Sequence, residues 1–174
     1  MDVYNEIYLD PSVGGFGANR NYDHLRRKGV ELALNSDMNK YLSLYFTYTY
    51  INAFFVGGNF AGNRVPMVPA NKVDWGVVLN PFDFLNIHFW SNYVWIQRAI
   101  NDEYATRAKL KDYMVCNVKA TVKLKGCETF FEINNIFNQK YSEYAAASTN
   151  CANNNVLYYP APEINWRFGV GCKF

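Results

Sequence analysis

Charge is scarce in this chain. Asp, Glu, Lys and Arg make up 18% of its 174 residues, where soluble domains carry about a quarter. The net charge is only +2, so no nucleic-acid partner is indicated. The two histidines, His24 and His88, have no Cys or His nearby at ligand spacing, so no metal site is expected. His88 is read as a polar lining residue. Four cysteines, Cys116, Cys127, Cys151 and Cys172, form no C-x-x-C and are too few for a disulfide scaffold. They are read as thiols filling apolar positions, with two disulfides as the alternative. No run of 18 apolar residues exists, so no transmembrane helix is expected. The start, MDVYNEIYLD, lacks the basic region and apolar core of a signal peptide. The glycine-bearing VGGNFAGNR (56–64) has neither a Gly-Lys-Ser/Thr ending nor a following helix, so it is no phosphate loop. No Ser/His/Asp set or carboxylate dyad has a geometric argument. Neither a catalytic site nor a cofactor is expected, and the chain is not read as an enzyme.

Rings and alternation fill the space left by charge. Aromatics reach 18%, with 14 Tyr, 13 Phe and 4 Trp. Successive residues of a strand point to opposite faces, and period-2 patterns recur along the whole chain. KGVELAL (28–34) sets Val30, Leu32 and Leu34 against Gly29, Glu31 and Ala33. YLSLYFTYTYINA (41–53), KVDWGVVL (72–79), LNIHFWSNYVW (85–95), YMVCNVKATVKL (113–124) and CETFFEI (127–133) alternate in the same way. With VYNEIYL (3–9) and NWRFGVGCKF (165–174), about eight strands are predicted, several of them long. No helix-period segment competes.

Connections alternate in length. NSDMNK (35–40), NPFDF (80–84) and KG (125–126) are short. PSVGGFGANRNYDHLR (11–26), VGGNFAGNRVPMVPA (56–70), RAINDEYATRA (98–108) and AASTNCANNNVLYYPAPE (146–163) are long. An antiparallel up-and-down meander of this kind gathers its short turns at one end, the layout of a transmembrane β-barrel. The even face of NWRFGVGCKF (Trp166, Phe168, Val170, Cys172, Phe174) is then expected to meet lipid, with Arg167 and Lys173 inside. Aromatic girdles are expected from Phe82, Phe84 and Phe174 at the short-turn end. Tyr50, Phe54, Phe55, Tyr93, Trp95 and Trp166 would form the other. Cys127 and Cys172 should lie close together on the lipid face near the short-turn end, as neighbours rather than a bonded pair. A two-residue turn at Lys125-Gly126 sets Lys123 opposite Glu128 and Lys119 opposite Glu132, two charge pairs on the lumen face. The basic stretch DHLRRK (23–28) is either a solvated strand start or a place for lipopolysaccharide phosphates.

Four stretches resemble the C-terminal part of a TonB-dependent outer-membrane receptor. They are NYDHLRRKGVELAL (21–34), NRVPMVPANKVDWGV (63–77), FEINNIFNQKYSEYA (131–145) and YYPAPEINWRFGVGCKF (158–174). The third is similar to the family's Asn-Leu-Phe-Asp-Lys-Tyr segment, with Ile136 for Leu and Asn138 for Asp. The resemblance implies that 1–174 is one β-barrel segment in the cell outer membrane, in contact with its lipids. It implies import of a scarce small-molecule ligand (siderophore, cobalamin or oligosaccharide) and insertion by the barrel-assembly machinery, with terminal Phe174 as the signal. It further implies coupling to TonB through a plug domain. Neither a plug nor a TonB-contacting segment is recognised in the sequence, so a C-terminal fragment unable to transport alone is expected. Ligand contacts chosen by loop position are Asn59, Arg64, Tyr104, Tyr158 and Tyr159. The alternatives are a self-contained eight-stranded barrel acting as anchor or adhesin, whose first strand must pair with its last, and a soluble ligand-binding barrel with its apolar face inward.

Overall fold

The computed structural model describes residues 1–10, 17–148 and 155–173. Cys151 and Phe174, and so the proposed assembly signal, lie outside the described residues. One antiparallel sheet dominates. It contains β1 (Asp2–Asp10), β2 (Ala18–Asn39), β3 (Leu42–Phe55), β4 (Asn71–Phe82) and β5 (Leu85–Val94). It continues through β8 (Tyr113–Leu124), β9 (Cys127–Asn134) and β12 (Asn165–Cys172), in the order β1-β2-β3-β4-β5-β8-β9-β12. The remaining strands are short and lie in the long connections. β6 (Gln97–Arg98) pairs with β7 (Lys109–Leu110), and β10 (Ser142–Ala147) with β11 (Val156–Pro160). No α-helix occurs among the described residues. This is the all-β meander anticipated from alternation. β12 pairs with β9 and β1 with β2, and no pairing joins β1 to β12.

The three short connections are two-residue turns at Lys40-Tyr41, Asp83-Phe84 and Lys125-Gly126, all at one end of the sheet. Lys125 and Gly126 both take positive φ, 47° and 81°. That is the twist a two-residue hairpin needs, and it is why glycine stands at 126. The ladder follows from this turn: Leu124 faces Cys127, Lys123 faces Glu128, Thr121 faces Phe130 and Lys119 faces Glu132.

Three long connections hold more structure than the sequence suggests. The expected loop 11–26 runs as strand from Ala18, because Ala18–Arg26 pairs with β1 and its Tyr22 and Leu25 are buried beside Phe55. The loops at 98–108 and 146–163 carry parts of the two small sheets. Both buried clusters sit at this long-loop end. One is Tyr22, Leu25, Ala53, Phe55 and Val65; the other is Ala99, Leu110 and Ala145. Phe55, expected in the aromatic girdle, belongs instead to the first cluster at 1% exposure. It lies opposite Leu25 on the inward face.

The rest of the sheet has no second layer. A single cavity takes side chains from β4, β5, β8, β9 and β12, so the sheet curls around that face. The opposite, convex face is apolar and bare. Val30 is 67% exposed and Trp166 70%, and Leu32, Leu34, Phe46, Leu79, Phe131, Phe168 and Val170 are exposed with them. A soluble barrel would place these side chains inward.

Cys127 and Cys172 face each other across β9 and β12 with Cα atoms 4.1 Å apart, and they are disulfide-bonded. The expectation of an unbonded pair is thereby corrected. The next pair along the ladder is hydrogen-bonded, Lys173 N donating to Gly126 O at 3.0 Å. The two cysteines therefore occupy the close, non-hydrogen-bonded position where opposed side chains approach most. Sequence shows neither this register nor the redox state. The bond closes a loop spanning 45 residues. Cys172→Ser should lower unfolding stability by about 2–4 kcal/mol, measured in denaturant with the protein in detergent. Equal stability with and without reductant would show the bond does not form.

Candidate functional site

The concave face is polar, as alternation requires. In its half nearest the short turns, Lys123 Nζ lies 3.4 Å from Glu128. Tyr45 Oη is 3.3 Å from His88 Nε2, and the His88 ring stacks on Trp90. Lys119 is cross-strand from Glu132, but each side chain takes another partner. Lys119 Nζ sits 4.4 Å over the Phe130 ring, and the Glu132 carboxylate takes a hydrogen bond from Arg167 of β12. Arg167 is the direct ladder partner of Glu132 on its other side, and a guanidinium fork fits a carboxylate better than an ammonium does. The β8–β9 hairpin by itself does not contain that third strand. Two rings pack against glycines, Tyr45 against Gly76 and Phe130 against Gly169, where an added Cβ would overlap the ring. These glycines let the wall carry large rings without pushing neighbouring strands apart.

Toward the long loops the concave face opens into a groove of about 590 Å³. Lys72, Asp74, Asn92, Asn117, Asn134, Glu143, Asn165 and Arg167 line it, with Tyr113 and Tyr141. Asn92 donates to Asp74. The segment INNIFNQKY (133–141) builds its far side. Asn135 and Asn138 take positive φ, 53° and 50°, a conformation asparagine tolerates. Asn135 is buried and fully engaged. Its amide donates to Gln139 O and Pro162 O, its carbonyl accepts from Gln139 N, and its own N–H donates to Asn117 Oδ1. Asn138 Oδ1 accepts from Ile164 N. The segment's asparagines thus turn the chain out of β9 and hold the start of β12. Amides, phenols and paired ions here suit hydrogen-bonding recognition, and the groove holds no nucleophile–base pair. Among the described residues no three of His, Cys, Asp and Glu gather as a metal site.

The loop-chosen residues divide. Asn59 lies exposed in a short 3₁₀ turn (58–60) beside Phe60, and Tyr104 packs its ring on Phe60 at 5.0 Å. Tyr158 and Tyr159 lie on the β10–β11 hairpin. Tyr159 contacts Tyr144, and Tyr158 lines an external cleft of about 750 Å³ with Lys109, Lys111, Lys140 and Tyr141. Sequence reasoning missed these three lysines, since only loop packing brings 109–111 to 140 and 158. Arg64 turns to the convex face, where it donates to Asn52 Oδ1. Loop 99–108 crosses back over β2. Tyr22 Oη donates to Glu103 Oε1 at 2.7 Å in a buried bond, and Asn63 Nδ2 donates to Glu103 O. Asp102 accepts from Arg98 and from the backbone N–H groups of Thr106 and Arg107.

A family model described as TonB dependent receptor-like, beta-barrel matches residues 1–136. The chain belongs to this family of TonB-dependent receptor-like β-barrels. Among solved structures it is similar to the ferric-catecholate import receptor Fiu from E. coli K12 in its closed form. There the TM-score is 0.74 at 16% identity, over 99% of this chain and 24% of that one. It is similar to the copper transporter OprC, with a TM-score of 0.75 at 15% identity over 97% and 26% of the two chains. It is also similar to a mutant of the ferric enterobactin receptor PfeA from Pseudomonas aeruginosa, at 0.73 and 14% over 97% and 27%. At these identities the likeness is one of fold. The chain spans about a quarter of each of those structures. A comparison with curated proteins finds no match. TonB-dependent receptors are outer-membrane transport proteins, and the bare convex face, polar concave face and one-ended long loops of this sheet match the architecture of a barrel wall.

Two measurements probe this site. Arg167→Gln leaves the Glu132 carboxylate, 5% exposed at its side chain, without its main partner. It should cost about 1–3 kcal/mol, and adding Glu132→Gln should recover most of that loss in a double-mutant cycle. Tyr22 stands on the part of β2 that projects past the apolar band. Burial first, and then the Glu103 hydrogen bond, push its phenol well above the usual range. The phenol stays protonated when docked but ionises in the released loop, so docking is intact below about pH 10 and weakens as pH rises beyond it. Hydrogen exchange of residues 99–108 should show that loosening, and Tyr22→Phe should abolish its pH dependence.

Proposed function

We propose that this chain is a wall of an outer-membrane receptor barrel that imports a scarce ligand by TonB-coupled transport. One observation carries the reading. The curved sheet turns polar side chains to its concave face and leaves an apolar convex face bare, with its short turns at one end. In a bilayer that convex face meets acyl chains, and charged residues there cost about 2–4 kcal/mol at the midplane. The unpaired outer edges of β1 and β12 support a larger barrel, because unpaired backbone groups in hydrocarbon cost several kcal/mol each. A self-contained eight-stranded anchor or adhesin needs those edges joined. By itself the segment is not transport-competent. Coupling to TonB runs through a plug domain, and the barrel-assembly machinery engages the C-terminal segment, with Phe174 as its signal.

External loops supply the ligand contacts. Asn59 and Tyr104 sit at the Phe60 cluster, and Tyr158 and Tyr159 on the β10–β11 hairpin, where the lysine-rich cleft adds positive charge. The ligand class is a siderophore, cobalamin or an oligosaccharide; the names of Fiu and PfeA, which resemble the chain in fold, point toward the first. The protein is a receptor and transporter, not an enzyme.

Cells producing the receptor that contains this segment should bind one of a ferric siderophore, cyanocobalamin or a maltooligosaccharide. Tyr158→Ala with Tyr159→Ala should weaken that binding roughly tenfold with unchanged barrel assembly. Undiminished binding removes the hairpin from the site. Spin labels at Phe168 and Val170 should be relaxed by oxygen, and labels at Glu128 and Lys123 by a water-soluble nickel chelate. The reverse pattern overturns the membrane orientation.

A further inference from the structure

The basic stretch at 23–28 continues directly into the apolar face of β2. Pairing of β2 with β3 is unbroken from Leu25 to Asp37, so Arg26 and Lys28 share a face with Val30, Leu32 and Leu34. They stand at its external end, immediately above the apolar band. On β3, Phe54 faces Arg26, Asn52 faces Lys28 and Tyr50 faces Val30. The loop after β3 adds a third cation. Arg64 bridges to Phe54, and its guanidinium donates to Ile51 O at 3.4 Å and Asn52 Oδ1 at 3.3 Å. Neighbours on one face of a strand are about 7 Å apart and adjacent strands about 5 Å, so the three cations form one patch. Asp2 balances part of it, accepting from Arg26 and bonding His24 at 2.7 Å each. No ion pair engages Lys28 or Arg64 among the described residues.

We propose that this patch binds the phosphate groups of an outer-leaflet phosphoglycolipid of the lipid A type, whose acyl chains lie along Val30, Leu32, Leu34 and Tyr50. The proposal rests on the membrane orientation argued above. Guanidinium groups match phosphate geometry with two parallel N–H donors, and the lysine supplies a mobile point charge. Cations at the edge of the hydrocarbon cost little, since long side chains keep their heads in the headgroup layer. Tyr50 and Phe54 stand at the level where amphipathic rings collect. A lumenal ligand does not fit the patch, because the face it occupies is the convex one. A soluble anion does not account for the apolar band that continues beneath it.

The test uses the protein purified from outer membranes in a phosphate-free non-ionic detergent. It is incubated in mixed micelles with bisphosphorylated lipid A or with the same lipid dephosphorylated, and retained lipid is quantified by mass spectrometry. The wild type should retain roughly tenfold more of the phosphorylated form. The triple variant Arg26→Gln, Lys28→Gln, Arg64→Gln should lose that preference, while Lys40→Gln, at the opposite end of the sheet, keeps it. Asp2→Asn should increase retention by freeing Arg26 and His24. If the triple variant fails to fold, Arg64→Gln alone, expected to lower the preference, and Asp2→Asn decide. An unchanged preference in the variants overturns the site. So does equal retention of both lipids, which would mean acyl packing alone, and so does full displacement by millimolar inorganic phosphate, which would mean a free-anion site. Retention of neither lipid by the wild type would instead count against the membrane orientation itself.

Discussion

Everything in this structure depends on pairing backbone N–H and C=O groups between neighbouring strands. Among the described residues there is no α-helix, and no second layer covers most of the main sheet, so lateral hydrogen bonding is the chief means of cohesion across most of the surface. Such a sheet tolerates no slip. Moving a strand by one residue would send Glu132, Lys119 and Arg167 outward and Phe131, Val118 and Phe168 inward. Turn chemistry at Lys125-Gly126 and the charges at 119, 123, 128 and 132 specify the same register independently.

Cohesion beyond the ladder is concentrated at the two ends. At the short-turn end the Cys127–Cys172 bond ties β12 to β9 one step from the hairpin. At the long-loop end, Phe60 packs with Tyr22, Phe55 and Tyr104, and the Tyr22–Glu103 bond holds loop 99–108 across β2. Between these ends the apolar convex face contributes nothing to an internal core. In the membrane orientation proposed above, lipid supplies the missing layer.

The concave wall separates two kinds of polar residue. Asn117, Asn135 and Asn138 are committed to the backbone, shaping the exit from β9 and the approach to β12. Lys72, Tyr113 and Glu143 face open groove, and Lys109, Lys111 and Lys140 gather in an external cleft. The first set explains why the segment around 133–141 looks as it does. The second offers surfaces on which recognition by a receptor can operate.

Alternation and loop length are local properties, so the strands of the main sheet, their order, the facing of β8, β9 and β12 and the one-ended short turns were all legible in the sequence. The length of β2 was not. Its first nine residues read as loop because their polar pattern makes sense only when β1 pairs with them. Nor was the partner of Glu132 visible, since Arg167 lies 35 residues away and reaches it only when β12 docks on β9. The same docking decided the bond between Cys127 and Cys172. Phe54 and Phe55 looked equivalent as rings near a loop; once β3 runs through both, alternation sends one outward and the other inward, and the packed long-loop end buries Phe55 in a core. Arg64 was chosen for its loop position and was turned to the convex face by its bridge to Phe54. A strand's faces follow from the geometry of its own chain. Which loop covers which face, and which charges meet, depends on contacts between residues far apart in sequence, and those exist only once the sheet has assembled.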